Sequence, residues 1–143
     1  MSEREIEIIQ EAADHARETL TQRWGYPVGP TAALCQIVSG EMGGYLSGWA
    51  DKVFVAHGKI PLEGGRTCNH WFVVAQWGGR RFLADGTYLQ FLEIKDWAGS
   101  SSVMVVELTD QSSLAKALEN HRIPAIYRPL WLQVFPNCPT RAE

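Results

Sequence analysis

No stretch of this chain approaches the roughly 20 consecutive apolar residues that a membrane-spanning helix requires, so a membrane is not an expected partner. Basic clusters are missing too: Arg80-Arg81 is only a pair beside a turn, and the net charge is −3. Phosphate recognition needs grouped Lys and Arg, so nucleic acid is not an expected partner either. The acidic opening, Met-Ser-Glu-Arg-Glu, has none of the apolar character of a secretory signal. Cysteine is scarce. Cys35, Cys68 and Cys138 are an odd set, which speaks against a disulfide framework and for free thiols. The expected location is the cytoplasm, or outside the cell by export without a cleaved signal. Strong metal-ligand spacing is also absent. Cys68-x-His70 with His57 upstream falls short of the four ligands of a structural zinc and fits no strong zinc pattern. Neither a metal nor a cofactor is expected.

What is present is ample material for a core. The 143 residues are 45% hydrophobic and include six tryptophans, which suits a single domain over residues 1–143. Ile6, Ile9, Ala13, Ala16, Leu20 and Trp24 recur at helical spacing and predict a first helix, stopped by Gly25 and Pro27. Pro30 and Thr31 suit the start of a second helix with Cys35 in its early turns. Gly40, Gly43, Gly44 and Gly48 weaken its second half. Short strands are expected at 53–55 and 60–62, with a turn at Glu63-Gly64-Gly65. The clearest β signal is His70-Trp-Phe-Val-Val-Ala-Gln-Trp77, then Gly78-Gly79, then Arg80-Arg-Phe-Leu-Ala-Asp85. Residues 103–108 predict another strand, 110–120 a short helix, and 126–135 a last strand with Pro129 near one edge. Residues 136–143 read as a tail. Helices first and strands after give an α+β fold, N-terminal helices packed on an antiparallel β-sheet.

The hairpin has a chemical consequence. A two-residue Gly78-Gly79 loop sets Trp77 opposite Arg80, and therefore Phe72 opposite Asp85. Residues two apart on a strand share a face, so His70 joins Phe72 and Asp85 on one face. His70 and Asp85 become diagonal neighbours, about 7–8 Å apart at the backbone, within reach of an imidazole–carboxylate hydrogen bond. A slip of one residue would part them. A carboxylate on one ring nitrogen fixes the tautomer and stabilises the imidazolium, leaving the other nitrogen for a nucleophile. A thiol beside such a ring is held as thiolate. Cys35, near a helix start, also gains from the amide dipoles there.

With these residues placed, the chain resembles the papain/transglutaminase-like superfamily of cysteine-triad enzymes. These put a cysteine at the start of a helix, a histidine at the head of one strand and an Asp or Asn on the next. Asn69-His70-Trp71-Phe72-Val73-Val74, followed by Phe82-Leu83-Ala84-Asp85-Gly86-Thr87-Tyr88-Leu89-Gln90-Phe91, is similar to the bacterial transglutaminase-core pattern. The separation of 15 residues between His70 and Asp85 is like that of the thiol-protease-like deamidase domain of certain dermonecrotic toxins. The resemblance spans about residues 31–91. It implies Cys35 as nucleophile, His70 as base and Asp85 as the group that orients the base. It also makes Gln90 an oxyanion candidate beside the backbone N–H of Cys35. Asn69 and Trp71 are candidates for substrate contact.

The activity so implied is thiol-dependent acyl transfer on an amide. A cysteine peptidase or glutamine deamidase comes first, and a transglutaminase or N-acyltransferase next. A protein or peptide is the expected substrate, with a small amide or thioester as the alternative. The competing reading makes Cys35 a core cysteine. The chain would then be a catalytically inactive transglutaminase-like module, binding a protein partner through Gly40 to Gly48 and exposed tryptophans. His15 and His121, in helical segments, are expected at the surface.

Overall fold

The computed structural model describes residues 2–30, 34–61 and 63–135. Two helices come first, α1 (Ser2–Trp24) and α2 (Cys35–Leu46). Four strands follow: β1 (Lys52–Pro61), β2 (Thr67–Trp77), β3 (Arg80–Asp85) and β4 (Met104–Leu108). Helices α3 (Gln111–Asn120) and α4 (Pro129–Leu132) close the described chain. The strands form one antiparallel sheet in the order β1-β2-β3-β4. The fold is thus α+β, as expected. No described helix is long and apolar enough to cross a membrane.

The N-terminal helices cover only one face of the sheet. Ile9, Ala13, Ala16 and Leu20 of α1 pack with Val38 and Met42 of α2 against Val73, Ala75, Phe82 and Ala84. The opposite face carries a second core: Phe72, Val74, Leu83 and Val106 meet Leu114 and Leu118 of α3 and Leu130 and Trp131 of α4. This sandwiching explains why β2 reads as continuously apolar from Phe72 to Ala75. Odd and even residues point to opposite faces, and both are buried. Burying Phe72, Val73 or Val74 contributes roughly 1.5–3 kcal/mol each.

Four sequence expectations are corrected. Residues 53–55 and 60–62 are not separate strands. His57-Gly58 continue one ten-residue strand, because all of β1 pairs with β2, Lys52 opposite Gln76 through Pro61 opposite Thr67. Residues 126–135 do not form a strand. The segment holds a 3₁₀ turn at Ala125–Tyr127 and then α4, with Pro129 at the helix start where its missing N–H costs nothing. The buried residues there, Leu130, Trp131 and Val134, follow helical spacing. Helix α2 begins at Cys35, not at Pro30 or Thr31, and runs through Gly40, Gly43 and Gly44 to Leu46. Thr31 lies outside the described residues. So do the expected tail at 136–143 and Cys138. Finally, His15 is exposed but His121 is half-buried, its ring 5.7 Å from that of Tyr88.

Two glycines let helices close on the sheet. Gly58 stands opposite His70, and a Cβ there would lie 2.6 Å from the Leu130 carbonyl oxygen. Gly86, next to Asp85, would push a Cβ to 2.9 Å from Met42 Sδ and 3.1 Å from Val38 Cγ1. The first brings α4 onto β1; the second brings α2 onto the end of β3.

Candidate active site

The hairpin register is the expected one: Trp77 faces Arg80 across Gly78-Gly79, and Val73 faces Ala84. Gly78 takes φ +58°, a left-handed value that suits glycine in a tight turn. His70 and Asp85 accordingly meet. His70 Nε2 donates to Asp85 Oδ2 at 2.6 Å, with His70 1% and Asp85 0% exposed.

Two groups hold the carboxylate besides His70. Trp131 Nε1 donates to Oδ2 at 2.8 Å, and the Thr87 backbone N–H donates to Oδ1 at 3.0 Å. The Thr87 hydroxyl adds a longer contact to Oδ1 at 3.4 Å. A buried carboxylate is costly unless its lone pairs are satisfied, and here each oxygen has donors. The ring is held sideways by aromatic edges, Phe91 at 4.7 Å and Trp131 at 5.8 Å between centroids. Behind the turn, the buried guanidinium of Arg17 on α1 donates to the Gly86 carbonyl at 3.1 Å, tying α1 to the residue after Asp85.

The second ring nitrogen, His70 Nδ1, is buried and has no hydrogen-bond partner among the described residues. A buried polar atom in that condition calls for an explanation. The Cys35 sulfur supplies one. Half-buried at the first residue of α2, it interacts with the His70 ring without meeting full hydrogen-bond geometry. Burial pushes the Cys35 thiol up, but the close approach of the polar His70 ring and the Trp71 N–H, together with the His70 charge, brings it down to a net lowered pKa. Burial likewise lowers His70, but the Asp85 charge and hydrogen bond overcome it and raise the ring to about 9. Both shifts favour a thiolate beside an imidazolium.

Strand lengths explain how a helix on one face reaches a histidine on the other. The Gln76 carbonyl accepts from Asp51 N on the β1 side, so the backbone groups of odd-numbered β2 residues point toward β3. The β2–β3 pairing ends at Val73 opposite Ala84. Beyond it, Asn69 and Trp71 direct their backbone groups past the end of β3, toward the start of α2. Cys35 Sγ lies 4.0 Å from the Asn69 oxygen. The α2 start adds donors: its first helical bond runs from Val38 N to Leu34 O, and Leu34 offers no side-chain cap. The N–H groups of Cys35, Gln36 and Ile37 therefore have no partner among the described residues.

A groove of about 270 Å³ opens here, lined by Leu34, Cys35, Gln36, Ile37, Asn69 and Trp71. Apart from the thiol, none of these side chains carries a titratable group. The structure thus brings together Cys35, His70, Asp85, Asn69 and Trp71. It does not bring Gln90 to this groove. Gln90 sits in the 3₁₀ turn Tyr88–Phe91, and its side-chain amide donates to the Thr87 carbonyl at 3.0 Å. Cys68 is exposed on β2. Sequence reasoning missed Trp131 and Thr87. For Thr87 a signal existed, since Asp commonly accepts from the N–H two residues on. For Trp131 the only hint was that a buried indole N–H needs an acceptor. No protein-family model, curated protein or solved structure matches the chain.

Proposed function

We propose that this chain is a thiol-dependent acyl-transfer enzyme acting on an amide, built like the papain/transglutaminase core, with Cys35, His70 and Asp85 as its triad. One observation carries the reading: a fully buried histidine with one nitrogen on a buried carboxylate and the other left for a helix-start thiol. Thiolate Cys35 attacks the carbonyl carbon and forms a C–S bond. The oxygen that becomes negative is met by the N–H groups of Cys35, Gln36 and Ile37, which have no partner among the described residues, while Gln90, engaged with Thr87, takes no part. The His70 imidazolium gives its Nδ1 proton to the departing amine as the C–N bond breaks. Neutral His70 then takes a proton from the second nucleophile, which releases the acyl group and restores the thiolate. The groove is open at a half-buried cysteine, so water has access, and hydrolysis comes before transfer to an amine. Its uncharged lining suits a neutral acyl segment, with Asn69 and Trp71 against it.

Thiol labelling tests the reading. At pH 6, iodoacetamide should modify Cys35 far faster than exposed Cys68, and His70→Ala should remove the difference. Incubation with amide substrates should leave an acyl adduct on Cys35, read by peptide mass. Equal, slow labelling of both cysteines would favour the inactive protein-binding module.

A further inference from the structure

A second polar cavity of about 230 Å³ is lined by Tyr88, Gly99, Ser100, Ser101, Asn120, His121 and Arg122, none of which lines the groove. The Tyr88, Ser100 and Ser101 hydroxyls in its wall are spent on backbone carbonyls, which leaves Asn120, His121 and Arg122 as its available donors. Among the described residues, the Asn120 and His121 side chains make no hydrogen bond. The Arg122 guanidinium has one ion pair, 3.7 Å to Asp96, and no side-chain hydrogen bond. That guanidinium lies over the Gly99 backbone, where an added Cβ would be 3.4 Å from Nη1.

The backbone adds an independent pointer. Arg122 has φ +65°, and it is the one non-glycine residue in left-handed conformation among those described. It follows the end of α3, a position where glycine is the usual solution. A side chain there strains the backbone, and such strain persists where the side chain has a use. The left-handed kink turns Arg122 back over the Gly99-Ser100-Ser101 loop, beside His121 and Asn120. The loop itself is anchored: Tyr88 donates its hydroxyl to the Ser101 carbonyl at 2.7 Å, and Arg17 reaches the Ser102 carbonyl at 3.4 Å.

We propose that this cavity binds a small oxyanion, a phosphate or carboxylate group, with Arg122 as its principal ligand and the Asn120 and His121 side chains completing the shell, while the Ser100 and Ser101 hydroxyls hold the loop by donating to the Asp96 and Val103 carbonyls. The chemistry fits, because a guanidinium fork matches both groups and charge-assisted hydrogen bonds are the stronger kind. Asp96 holds Arg122 at ion-pair distance only, so an entering anion need not break a hydrogen bond.

The test reads binding and stability rather than turnover, and so stands apart from the thiol chemistry. Inorganic phosphate and acetate are titrated separately into the full chain against sodium chloride of equal ionic strength. Thermal unfolding and the amide resonances of residues 99–101 and 120–122 are followed. At least one anion should raise Tm above the chloride baseline and shift those resonances saturably. Which of the two acts identifies the group. Arg122→Gly relieves the left-handed strain, so it should unfold at or above the wild-type temperature while binding the active anion roughly tenfold more weakly or worse. No response beyond chloride, or an equal response in Arg122→Gly, would overturn the proposal.

Discussion

Replacing Asp85 by Asn keeps the side chain's shape and removes its charge, which makes it the sharpest probe of the candidate site. The carboxylate accepts from His70 and Trp131 on one oxygen and from the Thr87 N–H and hydroxyl on the other. An asparagine has one oxygen, so whichever way the amide turns, its NH₂ faces donors. With the charge pairing lost as well, the variant should be destabilised by about 3–5 kcal/mol in denaturant unfolding. The second consequence concerns His70. Its ring is lowered by burial and raised to about 9 by Asp85 first and by Cys35 to a smaller extent. Without the charge, burial should leave it at or below the ordinary 6.5. That rise corresponds to about 3 kcal/mol, at about 1.4 kcal/mol per unit. Because the folded value lies above the unfolded one, this stability is fully present below pH 6.5 and is lost as pH rises through about 9. Wild-type unfolding free energy should therefore decline between pH 6.5 and 9 on account of His70, and the Asp85→Asn variant should lack that decline. Imidazole NMR titration of both proteins measures the ring directly, and Cys35 alkylation at pH 8, where the wild-type ring is still charged and the variant ring is not, should slow roughly tenfold or more. A wild-type ring titrating near 6.5, or a variant ring still near 9, would refute the reasoning.

Trp131→Phe keeps most of the burial and removes one donor to Asp85; it should cost about 1–2 kcal/mol in urea unfolding, against about 3–5 for Trp131→Ala. Gly58→Ala drives a Cβ into the Leu130 carbonyl and should destabilise by at least about 1–3 kcal/mol, with loss of the near-ultraviolet signal of Trp131 as α4 lifts. Gly86→Ala meets the flexible Met42 side chain and Val38, so its stability cost should be smaller, but α2 shifts and Cys35 alkylation should slow. Gln90→Ala should leave the alkylation rate of Cys35 within about twofold of wild type, since its amide is engaged with Thr87 outside the groove.

The parts of the fold legible in the sequence were those fixed by local rules. The apolar stripe of α1 and the Gly78-Gly79 hairpin depend on neighbours a few residues away, and the hairpin's register alone was enough to pair His70 with Asp85. The parts that were not legible depend on tertiary contact. Residues 126–135 are apolar, β-prone and interrupted by Pro129, which reads as an edge strand. They become helical because Gly58 leaves room on β1 for a helix to dock. Trp131 then reaches a carboxylate 46 residues earlier in the chain. The start of α2 was placed too early because Pro30 and Thr31 are good starting residues. Yet the observed start, at Leu34 with no side-chain cap, is worse for the helix alone and leaves its first N–H groups beside the groove without a partner among the described residues.

The groove itself is the product of unequal strands. β2 has 11 residues and β3 has 6, so the first half of β2 pairs on one side only. Were β3 to continue past Asp85 in register, its backbone would pair with Trp71 and Asn69 and occupy the space into which α2 now delivers Cys35. The chain prevents this at Gly86 and Thr87. Arg17 takes the Gly86 carbonyl, which would otherwise face Trp71, and the Thr87 N–H turns back onto the Asp85 carboxylate, which bends the chain out of the strand. The contact that fixes the carboxylate is thus also the one that ends the strand and leaves room for the thiol. Thr87→Pro removes that N–H and, because Thr87 sits at φ −130°, also forces the backbone out of its turn. It should loosen Asp85 and lower the His70 pKa even in protein that remains folded. An unchanged His70 titration in folded Thr87→Pro would separate strand termination from the orientation of the carboxylate.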